Sequence, residues 1–539
     1  MSAARVRSDA ALANTPEADG RGPGVRAAPV PWAWPLLLAG AVWLGLFYGL
    51  GAVPLFDVDE GAFGEATREM LASGDYVSTW LNGQPRFDKP ILTYWLQAAS
   101  VRLLGLDEFA LRLPSAFAAT AWIAAIYAFA RRAIDRDTAR AAAFIAATSA
   151  GVIVIGRGAI ADALLNLFLA LAMFDVYREL VDPRPRWRRR AFLWIGLGVL
   201  TKGPVALLIP GAAGAIAFLL QGRMAGWWRA ARDPVGWAIL LGVAAPWYML
   251  EYARRGDAFL AGFFMRHNVE RFLAPLQGHA GGVFYYLPAL ALLALPYTSL
   301  LLATLPGLRR LRASPLDTLL WCWFLFVFAF FTLAGTKLPH YLLYGATPLF
   351  ILMARRRGAL RNRVLALLPA LSLAVAVAAL PFVLDHVASG ARNAYVREAL
   401  SGDGVFDEAW AAQALAVVAA ILLLALWPDR RRAGPWPRLV AAALICAYAL
   451  VGLVLPAVAE LQQGPVKRAA LLARQAGWPV RSWRINAPSF SVYRAAITPA
   501  AGAPRAGDVI LTRSDALDSL PPLRVLFREG GVLLVRIDG

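Results

Sequence analysis

The chain has 539 residues, 59% of them hydrophobic and 17% charged, with a mean hydropathy of +0.54 and a net charge of +19. That apolar share excludes an ordinary soluble domain, where it is nearer ~45–50%, and makes lipid the solvent for most of the chain. Nucleic-acid binding is excluded too, because Lys and Arg fall in short clusters between apolar runs, where they set topology.

In chain order, residues 1–29 are rich in Ala, Gly, Pro and Arg without an apolar period, which predicts a disordered cytoplasmic tail. The apolar run from Pro31 to Leu55 is too long for the apolar region of a signal peptide and reads as a first span. Further apolar segments recur near 113–130, 141–156, 160–177, 191–220, 235–250, 283–305, 316–334, 341–353, 364–384, 409–427 and 439–459. Cys322 and Cys446 lie inside such segments and read as small buried hydrophobes. Basic clusters at Arg131 to Arg140, Arg184 to Arg190, Arg223 to Arg232, Arg309 to Arg312, Arg355 to Arg363 and Arg430 to Arg438 belong on the cytoplasmic side.

Both flanks of 191–220 are basic, and one span cannot begin and end on the same side. Its centre, Thr201-Lys202-Gly203-Pro204, predicts two short helices meeting on the outer side near Lys202. The expectation is an all-α polytopic membrane protein of about 13 transmembrane helices with its N-terminus inside. Residues 30–459 form the membrane domain, with 56–112 and 251–282 as outer loops, and 460–539 form an extracytoplasmic soluble domain. There, Val480 to Ile485, Ser489 to Tyr493, Val509 to Thr512 and Gly531 to Ile537 read as strands of a small α/β domain.

The first outer loop carries most of the chemistry. Phe63, Ala66 and Met70 share one face of an interfacial helix over 61–72 that Ser73 and Gly74 stop. Pro90 opens a second helix, leaving Phe87, Asp88 and Lys89 at its start. Asp57, Asp59 and Glu60 crowd behind the first span, where carboxylates serve either as helix caps or as chemistry. Lys202 is costly in an apolar run and reads as facing a wet cavity, with snorkelling to the headgroups as the competing account.

The strings DVDEGAFGEATREMLASGDY, PRFDKPILTYW, LTKGPVALLIP, RHNVERFL with GHAGG, and GTKLPHYLL resemble a bacterial family of polytopic transferases. That family is related to the protein O-mannosyltransferases and to ArnT, the lipid A aminoarabinose transferase, and the resemblance implies a GT-C fold. It also implies a polyprenyl monophosphate sugar as donor and an Asp of the first outer loop at the reaction centre. The match is Asp59, with Glu60 beside it and Asp162 as a second outer-loop carboxylate; a helix cap is the competing account of Asp162. The resemblance further implies that Lys89, Arg271 and Tyr341 meet the donor phosphate, with Arg266 as substitute for Arg271 and Lys202 added from the broken span. Asp88, Lys337, His340 and His267 fall in the same motifs and are expected in the cavity. ArnT tends to carry Arg and Tyr where this chain has Ala62 and Phe63, and Asp57 lies outside the match, so its loss is expected to be mild.

These expectations amount to an inverting glycosyltransferase in a bacterial inner membrane. It would move a sugar from undecaprenyl phosphate to lipid A or another envelope acceptor at the periplasmic face, with membrane lipids as neighbours. Asp59 would act as general base while Lys89, Arg271 and Lys202 offset charge on the departing phosphate. A protein O-mannosyltransferase-like activity and a lipid-linked sugar flippase are the alternatives. His267, His279 and His340 leave a divalent metal open, since their spacing matches no metal motif.

Overall fold

The structure, a computed structural model, describes residues 33–270, 272, 281–401, 404–428 and 434–538. The predicted N-terminal tail, Arg271 and His279 lie outside the described residues, as does the side chain of His267.

The chain opens with α1 (Ala33–Val42), which widens into a π-type turn at Trp43–Phe47. The helix predicted over 61–72 is α2 (Asp59–Ser73), ended by Gly74 in the left-handed conformation at φ 73°, which a residue without Cβ adopts cheaply. A two-stranded hairpin, β1 (Trp80–Leu81) and β2 (Gln84–Pro85), leads to α3 (Leu92–Leu104). Asp107 then caps α4 (Glu108–Ala133) by accepting from the Ala110 N–H.

The next apolar segment is bent by 61° at Ser149 into α5 (Arg136–Thr148) and α6 (Ala150–Arg157). Then come α7 (Asp162–Val181), α8 (Pro185–Lys202) and α9 (Val205–Leu220). The predicted break in the 30-residue run is present between α8 and α9: Gly203 has φ 90°, and Pro204 has no N–H to continue the ladder. After α10 (Met224–Ala231) and α11 (Pro234–Arg255), a short helix Asp257–Phe259 runs into π-type turns over Leu260–Glu270.

A second bend, of 118°, separates the apolar helices on either side of Pro296. Among the described residues five helices are long and apolar enough to cross a membrane, or seven with each bent pair taken as one span. They include α4, Pro315–Leu333, Arg363–Gly390, Glu408–Leu426 and the composite Trp436–Gln475. The interior is rich in small and aromatic side chains: Phe129 and Phe174 stack at 4.0 Å, and eight buried alanines from Ala141 to Ala170 let backbones approach.

The C-terminal unit is a four-stranded sheet in the order β3-β4-β6-β5: β3 (Val480–Ser482), β4 (Val509–Arg513), β5 (Leu523–Glu529) and β6 (Val532–Ile537). Only β3 and β4 run parallel. The helix Leu455–Gln475 leads into the sheet and packs Val466, Ala469 and Ala473 against Val480, Leu511 and Leu534. The predicted boundary at 460 therefore falls inside a helix.

One predicted strand is wrong. Ser489 to Tyr493 lies in a helix, Pro488–Arg494, with Pro488 in its first turn, where φ is already helical and the missing N–H costs nothing. The strand missed by periodicity is β5, whose side chains are mostly exposed and so lack an alternating apolar code.

Candidate active site

Asp59 and Glu60 are neighbours at the start of α2 but meet opposite environments. Glu60 is 5% exposed and takes Arg112 in a two-pronged ion pair at 2.6 and 2.8 Å, while also accepting from the N–H of Phe56 and Ala159. Burial raises its carboxyl, but Arg112 more than offsets this and leaves it below the ordinary value. With both oxygens engaged, Glu60 is a clamp and not a reacting group, a correction to its predicted catalytic role. The clamp has a use: Ala159, with Gln97 on its carbonyl, belongs to the loop that delivers Asp162. Asp59 faces outward, is exposed, and makes no hydrogen bond among the described residues. Its charge acts on Arg86 and on the Tyr94 hydroxyl.

The second carboxylate is at the centre of a buried cluster. Asp162 Oδ1 lies 2.6 Å from Lys202 Nζ, accepts from the Tyr344 hydroxyl at 2.5 Å, and is 3.6 Å from His340 Nε2. Lys202 also donates to Tyr344 at 2.6 Å and stands 5.5 Å from the Tyr341 ring centre. The cap reading of Asp162 fails, since its side chain caps no backbone N–H of α7. Four predicted residues, Asp162, Lys202, His340 and Tyr341, thus come together. Among the described residues two of the three Lys202 N–H groups are used inside the cluster.

Tyr344 was missed by the sequence reading. It lies three residues beyond Tyr341 in the 3-10 segment Pro339–Gly345, whose three-residue repeat puts both rings on one side; they stack at 5.9 Å. Lys337 is placed otherwise than predicted. It is 6% exposed and donates to the carbonyls of Thr332 and Ala334 at the end of Pro315–Leu333, where unsatisfied carbonyls and the helix dipole favour a cation.

Lys89 and Asp88 follow the β1–β2 hairpin. Lys89 donates to the Asp88 carbonyl at 3.0 Å, and Asp88 pairs with Arg86 at 3.2 Å. Residues 259–263 tie this hairpin to Lys202. Phe87 meets Phe259 edge-on at 6.0 Å, Phe259 stacks on Phe263 at 5.7 Å, and the Phe263 ring covers Gly203 so closely that a Cβ there would come within 2.7 Å. Lys89, Lys202 and Asp162 are therefore attached to one aromatic wall built by residues 259–263. Among the described residues no group of three His, Cys, Asp or Glu side chains is arranged to hold a metal.

A profile described as dolichyl-phosphate-mannose-protein mannosyltransferase matches residues 88–250, which hold Asp88, Lys89, Asp162 and Lys202. The undecaprenyl phosphate-alpha-4-amino-4-deoxy-L-arabinose arabinosyl transferase 2 of Pseudomonas fluorescens is 32% identical over 367 residues, 66% of this chain and 61% of that protein. The corresponding transferase of Pectobacterium carotovorum is 31% identical over 355 residues, 62% of this chain and 63% of that protein. Over these residues the chain is similar to the arabinosyl transferases and to the mannosyltransferase profile. It spans about six tenths of the length of these curated relatives. Its fold is that of ArnT from Cupriavidus metallidurans bound to undecaprenyl phosphate, with a TM-score of 0.77, 21% identity, and coverage of 94% of this chain and 98% of that one. The apo form of that ArnT gives 0.75, again at 21% identity, covering 93% and 97%.

Asp57 is not the inert neighbour expected. It accepts from the Ser489 N–H at 2.9 Å and from the Ser489 hydroxyl, so the start of α2 is held by the C-terminal unit. Tyr493 adds a bond from the Leu55 N–H at 2.7 Å, and Asn82 accepts from Ser491 at 2.6 Å. Burial pushes the Asp57 carboxyl up to about 7 against the lowering effect of Ser489, and burial likewise pushes Glu65 up to about 7 against Arg68. Both groups bind protons more tightly folded than unfolded. Their stabilising contribution is therefore complete below the ordinary carboxyl range and drains away as pH rises through about 7. Melts of the solubilised protein are expected to show a midpoint that falls between roughly pH 4 and 7. The slope should flatten in Asp57→Asn with Glu65→Gln; an unchanged slope in that double variant removes both groups as its source.

Proposed function

We propose that this chain is an inverting glycosyltransferase that moves a sugar from a polyprenyl phosphate, undecaprenyl phosphate in bacteria, to an envelope acceptor such as lipid A. The observation that carries the reading is Asp59, an exposed carboxylate with no structural duty, standing on the same first outer loop as Arg86 and Lys89. The printed names of the relatives, arabinosyl transferases that use undecaprenyl phosphate, support the donor and the reaction type.

In the proposed reaction the acceptor oxygen attacks the anomeric carbon from the face opposite the phosphate. The new C–O bond forms as the bond from that carbon to the phosphate oxygen breaks, and the acceptor proton passes to Asp59. The electron pair leaves with the polyprenyl phosphate, whose growing charge is offset by Lys89, by Arg271 and by Lys202. An acceptor that is itself a phosphate brings no proton at neutral pH, and Asp59 then orients it.

About 13 spans in a bacterial inner membrane, with the site on the periplasmic side, complete the reading; residues 30–459 make the membrane unit and 460–539 the outer domain. The five to seven spans recognised by length and apolarity are then joined by shorter or more charged helices such as α1, α7, α8, α9 and α11. Pro204 is exposed in the α8–α9 break, so Pro204→Cys should react with a membrane-impermeant maleimide added from the periplasmic side. Labelling only after the inner membrane is opened would reverse the orientation.

Reconstituted protein, a polyprenyl-phosphate sugar and a panel of lipid A, glycan and protein acceptors test the activity. Release of free polyprenyl phosphate with glycosylated product supports the transferase. Movement of intact lipid-linked sugar across the vesicle without release would establish a flippase. A glycosylated protein hydroxyl would shift the acceptor toward the mannosyltransferase-like alternative.

A further inference from the structure

The arginines of this molecule differ in how fully their donors are matched: Arg112 makes five hydrogen bonds, two to Glu60 and three to the carbonyls of Leu50, Val53 and Pro54, while Arg157 spans the carbonyls of Tyr48 and Gly49. The Nε–H groups of Arg189, Arg494 and Arg513 are buried without a partner among the described residues, as is that of Arg86. Arg86 is set apart by its place between Asp59 and Asp88, near Lys89 in the chain. Its side chain is 8% exposed, and its one ion pair among the described residues is with Asp88 at 3.2 Å. The buried Tyr94 hydroxyl beside it makes no hydrogen bond of full geometry among the described residues but lies close enough to act on the guanidinium.

The guanidinium is nonetheless held firmly. The Arg86 backbone is pinned to Thr79 by bonds of 2.8 and 2.5 Å, its Cζ lies 5.6 Å from the centre of the Phe63 ring, and Phe63 stacks on Tyr94 at 4.9 Å. Phe63 supplies a flat support and no acceptor of its own. Leaving buried donors unmatched is costly, and a rigid, under-satisfied cation between two carboxylates, Asp59 and Asp88, is suited to an oxyanion that arrives from outside.

We propose that Arg86 is a substrate-binding residue whose guanidinium donates to a phosphate oxygen of the substrate held between Asp59 and Lys89. This rests on the transferase reading above. The charge pattern favours such a group: on this stretch of chain Asp59 and Asp88 would otherwise face an anionic substrate with Lys89 to oppose them. A planar fork also fixes the orientation of the phosphate, which a lysine cannot do.

The test uses the full-length purified protein with undecaprenyl phosphate as probe. Equilibrium binding, melting temperature and steady-state transfer are measured for wild type, Arg86→Gln and Arg86→Lys. Loss of one charge-assisted contact should weaken undecaprenyl phosphate binding by about 10 to 150-fold in Arg86→Gln. Arg86→Lys should keep the wild-type melting temperature but recover only part of the affinity. If probe affinity is unchanged while KM for a phosphate-bearing acceptor rises by a similar factor, the oxyanion is the acceptor's, and the assignment stands. Unchanged affinity and unchanged KM in folded Arg86→Gln overturn it, as does full recovery of affinity and KM by Arg86→Lys. Should Arg86→Gln fail to fold, the same readings on Arg86→Lys decide. Wild type that neither binds the probe nor transfers sugar would bring down the transferase reading itself, and this inference with it.

Discussion

Asp59→Asn is expected to lower transfer to a hydroxyl acceptor by about 10² to 10⁴, the usual contribution of a positioned general base. Expression and melting temperature should stay at wild-type values, because the Asp59 carboxylate is exposed and holds no backbone or side-chain donor among the described residues. Undecaprenyl phosphate binding should survive, since removing a carboxylate near a phosphate relieves repulsion. The contrast with Glu60 is the internal check. Glu60→Gln disturbs the ion pair with Arg112 and the bond to Ala159, so it should damage stability first and activity as a consequence. Full activity in folded Asp59→Asn, measured with a hydroxyl acceptor, would move the base elsewhere.

The second large effect is expected at the Asp162–Lys202 pair. Both side chains are largely buried, at 6% and 10% exposed, and each is the other's counter-charge at 2.6 Å. Asp162→Asn leaves the Lys202 ammonium without its neutralising partner, and Lys202→Met leaves the carboxylate with only His340 and Tyr344. Either single change should cost about 3–5 kcal/mol of stability, the usual penalty for breaking a buried pair. The double variant Asp162→Asn with Lys202→Met removes both charges and should recover much of that loss in thermal melts. Activity should remain at least about 10²-fold down in all three, because the donor offered by Lys202 toward the leaving phosphate is gone in two and misplaced in the third. A double variant as unstable as the singles would show that the cluster is not held by the pair. An active double variant would remove the cluster from the reaction.

What the sequence determined by itself was set by solvent and chain continuity. Apolar runs of span length, basic clusters between them and the odd parity of 191–220 were enough to place a break at Lys202, because no helix can carry that lysine through lipid and begin and end on one side. The helix after Asp57 and its stop at Gly74 were equally local, governed by amphipathic period and by a glycine that alone takes φ 73° cheaply.

What only the tertiary structure decided is the division of labour among like residues. Nothing in Asp57-Val58-Asp59-Glu60 says which carboxylate is solvated and which is clamped; that follows from Arg112, 52 residues beyond Glu60, and from Ser489, 432 residues beyond Asp57. The same holds for the lysines. Lys202 meets Asp162 because α7 and α8 pack side by side, whereas Lys337 is spent on carbonyls at the end of its own preceding helix. Arg86 carried no signal in its motif, since its position over Phe63 depends on the hairpin folding back onto α2. Solvent preference and local geometry are written residue by residue, but the partner that fixes a charge's role is distant in sequence and appears only when the chain is folded.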